Sequence, residues 1–290
     1  MKEMKKANLI YAIKEGSLVY IDDVEKGLRC GCICPACGAS LIAKKGNKVS
    51  HHFAHYSSED CEKGYETSLH LLAKKILSET KEIMLPAVRI QLANVYIPMW
   101  NQGKIQIDYV ELEKKNGEII PDVIAYSGNK KLIIEIYVTH KVDEEKLKKI
   151  RASDISALEI DLSKFDRFIT ESELRNILVN SDSYKSWLYN SISEKYFKVF
   201  CSVSKRRWVS GYAGRIYYCP LARKTWYGKP YADFIDDCSC CEYLIEVETD
   251  DDYNTSILCL GRIASYVKNN LEKNLLYIIN KKAIPNWKKI

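Results

Sequence analysis

Cysteine and histidine residues near the N-terminus have the spacing of a zinc site. Cys34 and Cys37 are separated by two residues, so both thiolates can bind one tetrahedral ion, and Gly38 allows a turn behind them. The remaining ligands must come from the segment just downstream, which contains His52, His55 and Cys61. Four protein ligands leave no open position for water, so this zinc ion is expected to be structural.

Local geometry distinguishes the two histidines as zinc ligands and indicates where two further cysteines lie. In a strand, His52 and His55 point to opposite faces, whereas in a turn they converge. His55 is the preferred ligand because it is nearer to Cys61, and His52 is the alternative. Cys30 and Cys32 alternate along the chain as on one strand face, so they are expected to be buried core thiols.

A polar stripe follows on a predicted helix over residues 65–80. Apolar residues recur there at helical spacing and predict one buried face: Leu69, Leu72, Ala73 and Ile76. Glu66, His70 and Lys74 lie four residues apart and form a stripe beside that face. Taken alone, the stripe is typical of a solvated helix surface whose charges suit the helix dipole.

Two predicted strands downstream bring a pair of carboxylates together. They flank Gly128 and Asn129, which suit a two-residue type II′ hairpin turn, and that register places Asp122 directly opposite Glu135. Two carboxylates about 5 Å apart repel by about 3 kcal/mol at an effective dielectric of about 20, so a proton or a cation must lie between them. Mg²⁺ or Mn²⁺ at this pair, with Glu66, could activate water for phosphodiester hydrolysis. The alternative is an acidic, exposed hairpin face.

The order of these features resembles the competence protein CoiA-like family, whose members resemble PD-(D/E)xK nucleases. The resemblance covers residues 1 to about 165. It implies a restriction-endonuclease-like α/β core of mixed sheet flanked by helices. It also implies a metal-dependent nuclease that acts on DNA in processing, uptake or defence. Glu66, Asp122 and Glu135 match the three acids of the motif.

The chain departs from the motif at one position. The lysine expected two residues after Glu135 is Tyr137 in this sequence. In families similar to CoiA this position is often a glutamine. His70 or Lys74 could supply the missing positive charge, and His70 is one helical turn closer to Glu66. Two other hypotheses remain open: a catalytically inactive nucleic-acid-binding protein on the same fold, and a zinc-stabilised protein-interaction scaffold.

The C-terminal third is rich in aromatic residues and contains a second group of cysteines. Cys238 and Cys241 have the same two-residue separation as the N-terminal pair. The ligands predicted for a second structural zinc are Cys201, Cys219, Cys238 and Cys241. Cys240 is then spare, and Cys259 is expected to lie in the core.

Basic residues are interleaved with tryptophan at 205–208 and 223–226, with Arg215 between these segments, a combination that can hold single-stranded nucleic acid. The aromatic side chains are nevertheless expected to form the core of this region. Residues 263–279 are predicted to form an amphipathic helix followed by a basic tail.

Composition bounds the class of protein. The 290-residue chain has a net charge of +6, which permits but does not require a polyanionic partner. The sequence contains neither an apolar run of 18 residues nor a secretory signal, so a cytoplasmic protein without a membrane span is expected. Eleven cysteines in such a chain favour metal binding over disulfides. Three segments are predicted, 1–64, 65–180 and 181–290, and a homo-oligomer or a protein partner is left open.

Overall fold

The computed structural model describes residues 9–56, 61, 63–165, 168–222 and 224–261. These residues form a mixed α/β protein that divides into two compact units. The first unit comprises Met1–Pro86 and Gln102–Asn190, and the second comprises Ala87–Asn101 and Ser191–Ile290. The helix predicted at 263–279 lies outside the described residues. No described helix is both long and apolar enough to cross a lipid bilayer.

The strands are short, and most lie next to their hairpin partner. The first are β1 (Tyr11–Lys14), β2 (Ser17–Tyr20), β3 (Leu41–Lys44), β4 (His52–His55), β5 (Glu82–Leu85), β6 (Val88–Gln91), β7 (Tyr96–Trp100), β8 (Gly103–Gln106) and β9 (Tyr109–Leu112). The later ones are β10 (Val123–Ser127), β11 (Lys130–Tyr137), β12 (Ala157–Asp161), β13 (Lys185–Tyr189), β14 (Lys205–Trp208), β15 (Arg215–Tyr217), β16 (Lys224–Trp226), β17 (Lys229–Asp233), β18 (Leu244–Thr249) and β19 (Thr255–Cys259).

Within the described residues, four α-helices accompany these strands: α1 (Lys63–Glu79), α2 (Glu144–Ala152), α3 (Glu171–Asn180) and α4 (Ser191–Val203). Two of them begin at capping residues. The Asp143 side chain accepts the backbone N–H of Lys146 at the start of α2, and Thr170 and Glu173 form a capping box on α3. The helix predicted over 65–80 is confirmed as α1.

The N-terminal region and α1 share one hydrophobic core. Leu9 and Phe53 are fully buried against the apolar face of α1, which includes Leu69, Leu72 and Ile76. Residues 9–56 therefore belong to the first unit, whereas the sequence predicted a separate N-terminal segment.

A five-stranded sheet forms the centre of the first unit, in the order β13-β12-β11-β10-β9. Its pairs are antiparallel except for β11 and β12, which are parallel because α2 connects them. This crossover matches the predicted strand, helix and strand order. The parallel pairing places Glu135 of β11 beside Glu159 of β12.

The second unit contains the hairpin of β6 and β7, the helix α4 and two three-stranded sheets, β14-β19-β18 and β15-β17-β16. One apolar cluster packs Ile90 and Ile97 of the hairpin against Tyr196 and Phe200 of α4. The hairpin of residues 87–101 therefore belongs to the second unit, although the flanking parts of the chain belong to the first. For this reason the predicted segments 65–180 and 181–290 differ from the observed units.

Candidate functional site

The hairpin of β10 and β11 has the predicted register. Val123 pairs with Ile134 and Ser127 with Lys130, so Gly128 and Asn129 form the two-residue turn. Gly128 has a φ of 56°, which only glycine adopts without strain and which a II′ turn requires at this position. The turn therefore sets the pairing along the whole hairpin.

Asp122 lies immediately before β10 and is held by donors from two elements. Its Oδ2 accepts the backbone N–H of Ile136 at 2.8 Å and lies 2.9 Å from His70 Nε2. Lys74 Nζ lies 3.6 Å from the other oxygen. Burial raises the pKa of Asp122, but the hydrogen bond and charge of His70, the Ile136 N–H and Lys74 outweigh it, so the pKa is lowered overall. Asp122 is therefore ionised and oriented at neutral pH.

Glu135 is more deeply buried than Asp122 and is incompletely paired. Its side chain is 4% exposed, and Oε2 accepts a hydrogen bond from Lys146 Nζ at 2.7 Å. Its other oxygen, Oε1, is buried without a hydrogen-bond partner. Burial raises the pKa of Glu135 to about 7, Lys146 opposes that rise, and Asp122 adds to it. The two acids thus differ in protonation although they share one site.

An open cavity of about 250 Å³ lies over these two acids. Ionisable side chains dominate its lining: Glu66, His70, Asp122, Glu135, His140, Lys141, Asp143, Lys146 and Glu159. Five of these are carboxylates and two are lysines, so the cavity is acidic and attracts cations.

The structure brings most of the predicted site residues to this cavity. Glu66 lies in the first turn of α1, His70 one turn later, and Tyr137 at the end of β11. Lys74, expected to line the cavity, instead is buried beside Asp122 and forms an ion pair with Glu113 at 2.7 Å.

Four charged residues that line the cavity were not predicted as site residues from the sequence: Lys141, Asp143, Lys146 and Glu159. Lys146 and Glu159 are the two that adjoin Glu135. Lys146 lies one turn before the buried Ile150 on α2, so the spacing of these two residues could have indicated that Lys146 faces the sheet. Glu159 interrupts the apolar β12, and its Oε2 lies 3.5 Å from the backbone N of Val142. Only the parallel pairing of β12 with β11 reveals that it lies beside Glu135.

A second candidate site is the cysteine and histidine cluster of the N-terminal region. Potential ligand atoms of Cys34, Cys37 and His55 all lie within 4.8 Å of one another, and Cys37 Sγ is 3.3 Å from His55 Nε2. Gly38 has a φ of 71°, as the predicted turn after Cys37 requires. The Cys61 thiol also interacts with that of Cys37. This cluster is compatible with a zinc site.

Strand β4 places His55, and not His52, in this cluster. His52 lies at the other end of β4, where its Nδ1 is 2.8 Å from the carbonyl oxygen of Ser50. Cys30 and Cys32 are buried, and their thiols donate to the carbonyl groups of Leu41 and Cys30. The prediction that these two thiols belong to the core is confirmed.

The C-terminal cysteines group differently from the prediction. Cys219, Cys238 and Cys241 line one small cavity, and the fourth cysteine there is Cys259. Cys201 lies on α4 and packs with the apolar cluster around Phe200, because the helix directs it to that side. Cys201 is therefore not part of the group, and Cys259 is.

The aromatic residues of the second unit are only partly core. Tyr196 and Phe200 are buried, but Trp208, Trp226 and Tyr227 are exposed, and Tyr227 reaches 87% exposure. The Arg215 guanidinium lies 3.9 Å from the ring centre of Trp226. The prediction that these aromatic side chains form the core is thus wrong for the exposed ones, which end the short strands β14 and β16 or lie in the turn after β16.

Fold and sites together define a mixed α/β protein with an N-terminal cysteine and histidine cluster and an acidic cavity on its main sheet. Residues 23–64 match the family model of the competence protein CoiA N-terminal domain. The match is confined to this segment, which contains Cys34, Cys37 and His55, and it confirms the resemblance there. No curated protein and no solved structure matches the chain.

Proposed function

We propose that this protein is a nuclease that uses a divalent cation to hydrolyse phosphodiester bonds in DNA. The observation that carries the proposal is the buried Oε1 of Glu135, which has no partner although it adjoins Asp122 at an open acidic cavity. Buried polar atoms of purely structural groups are almost always hydrogen-bonded. An unpaired carboxylate oxygen beside a second carboxylate suits either a shared proton or a bound cation, and the open acidic cavity favours the cation.

The donor set fits Mg²⁺ or Mn²⁺. Both ions prefer oxygen ligands. Asp122, just before β10, and Glu135 on β11 provide carboxylates, and Glu66 lines the same cavity from α1. When bound at such a site, a divalent cation makes water more acidic and neutralises charge on the leaving oxygen.

The side chains around the acids have separate tasks in this proposal. His70 and the Ile136 N–H fix the orientation of Asp122. Tyr137 stands where the motif has its lysine, and in this proposal Lys146 takes over the function of that lysine. Its ammonium group contacts Glu135 from α2. A positive charge there stabilises the negative charge that develops on the phosphate. Tyr137 has no such charge to offer.

DNA is the proposed partner on three grounds. The chain is basic overall, its N-terminal region matches a competence protein, and the second unit exposes aromatic rings beside arginine. Exposed rings next to cationic groups are suited to stacking on the bases of single strands.

The test is a cleavage assay on single-stranded, duplex, nicked and branched DNA with Mg²⁺ or Mn²⁺, together with a binding assay in EDTA. Cation-dependent cleavage of at least one form supports the proposal. Binding without cleavage under every condition indicates a catalytically inactive binder, and neither binding nor cleavage indicates a protein-interaction scaffold.

Replacing Lys146 with methionine is expected to lower the cleavage rate about 100-fold, because the charge near the phosphate is lost while the stem of the side chain is kept. Tyr137→Phe is expected to have a smaller effect. The matched control is Lys149→Met on the same helix, since Lys149 pairs with the exposed Glu145. Equal rates for Lys146→Met and Lys149→Met would remove Lys146 from the mechanism.

Cation binding is expected to weaken as pH falls through 7. The pKa of Glu135 is raised to about 7, so its carboxyl is mostly protonated at pH 6 and mostly ionised at pH 8. Since the cation binds only the ionised form, the Mn²⁺ affinity should fall about tenfold from pH 8 to pH 6. Titration calorimetry with Mn²⁺ measures this change. In Glu135→Gln the Mn²⁺ affinity should be weaker, and it should change less with pH. If the affinity of this variant changes with pH as much as that of the parent, a group other than Glu135 takes up the proton that weakens binding.

A further inference from the structure

Four cysteines from three parts of the second unit meet around one cavity. Cys219 follows β15, Cys238 and Cys241 flank the turn after β17, and Cys259 ends β19. The cavity between them has a volume of about 20 Å³, enough for a single atom-sized occupant. Cys240 is excluded, because its exposed thiol donates to the carbonyl groups of Asp236 and Asp237.

Backbone hydrogen bonds to sulfur are arranged as in the N-terminal cluster. There, the Cys34 sulfur interacts with the N–H groups of residues 36 and 37, and the Cys37 sulfur with that of residue 39. In the second unit, the Cys219 sulfur interacts with the N–H groups of residues 221 and 222, and the Cys241 sulfur with that of residue 243. Burial raises the pKa of Cys219 and Cys241, and N–H groups directed at sulfur oppose that rise because they favour the thiolate, which is the form that binds metal.

A partly paired guanidinium at the cavity adds an independent observation. Arg207 lines the same cavity, and its Nε is buried without a hydrogen-bond partner. Its Nη1 donates to the carbonyl oxygen of Tyr217. A zinc ion with four thiolates has a net charge of −2, and the half-buried Arg207 guanidinium beside it would offset part of that charge.

We infer that Cys219, Cys238, Cys241 and Cys259 bind a structural zinc ion in the second unit. Among the residues that the structure describes, only the N-terminal cluster has three ligand atoms within 4.8 Å of one another. Binding of one ion by the four cysteines therefore requires their sulfurs to move closer together than they are here. The site joins the ends of β15 and β19 to the turn after β17. Its role is to hold these short elements together, and it is independent of the proposed nuclease activity.

The test is the zinc content of the full chain after washing with a weak chelator, measured by mass spectrometry. The parent protein should hold about two zinc ions, and Cys238→Ser or Cys259→Ser about one. Cys201→Ser and Cys240→Ser are the matched controls and should keep the parental content. A loss with Cys201→Ser but not with Cys259→Ser would overturn the assignment, as would a parental content of about one that no C-terminal variant changes.

Alkylation of the cysteines in the parent protein tests the same site without any variant, so it remains informative if a variant does not fold. With zinc present, the four thiols should resist iodoacetamide, and removal of zinc should expose them together in a peptide map. Cys201 should react to the same degree in both states. Protection of the four thiols that does not depend on zinc would show a metal-free thiol core and end the proposal.

Discussion

Replacing Glu135 with glutamine is expected to abolish cation-dependent DNA cleavage, with a rate at least about 10³-fold lower than that of the parent. Glutamine has nearly the same shape but cannot supply the negative oxygen that the cation needs. The folded protein should not lose stability. Since burial raises the pKa of Glu135 to about 7, its ionised form at pH 8 opposes folding, and the neutral amide removes that cost. Cleavage rates and thermal unfolding at pH 8 check both statements.

The control for this variant is Glu145→Gln, which changes an exposed carboxylate on the nearby helix α2. It should cleave at the parental rate. Asp122→Asn should behave like Glu135→Gln in activity but should lower stability, because the folded state depresses the pKa of Asp122 through His70 and the Ile136 N–H. Parental cleavage by both acid variants would refute the proposed site.

Removing the N-terminal zinc ligands is expected to have the largest effect on stability. Cys34→Ser and His55→Gln should each lower the zinc content by about one ion and the unfolding temperature by more than about 10 °C, since a structural zinc contributes several kcal/mol to folding. The effect should reach α1, because Leu9 and Phe53 share its core. Zinc analysis and thermal unfolding measure it.

The matched control for the zinc site is His52→Gln on the same strand. His52 hydrogen-bonds to Ser50 and lies outside the cluster, so this variant should keep the parental zinc content. If His52→Gln loses zinc and His55→Gln does not, the ligand assignment is reversed. If none of the three variants changes the zinc content, the cluster is not a zinc site.

Local features of the sequence determined a large part of the first unit. The Gly128 and Asn129 turn sets the hairpin register because a two-residue loop leaves the strands no freedom to slip. The apolar spacing of α1 defines its buried face, and the polar stripe then follows from helix geometry. The separation of Cys34 and Cys37 likewise brings two thiols together without any distant contact.

Only the tertiary structure shows which residues that are distant in sequence lie beside these local features. Lys146 and Glu159 reach the acids through the α2 crossover and the parallel pairing of β12, and a parallel register depends on packing rather than on a turn. The domain composition has the same origin. The hairpin of residues 87–101 belongs to the second unit because its apolar face packs on α4.

The cysteines show the same division between local and tertiary information. The spacing of Cys238 and Cys241 identified them as a pair, because the two residues between them form a single turn that brings the thiols together. Only the fold shows that Cys259, and not Cys201, lies beside this pair. Neither cysteine is part of a sequence motif, and neither is exposed, so the sequence does not distinguish them. Which of them meets the pair depends on how β19 pairs with β18 and where α4 packs, and sequence spacing does not encode such contacts between remote elements.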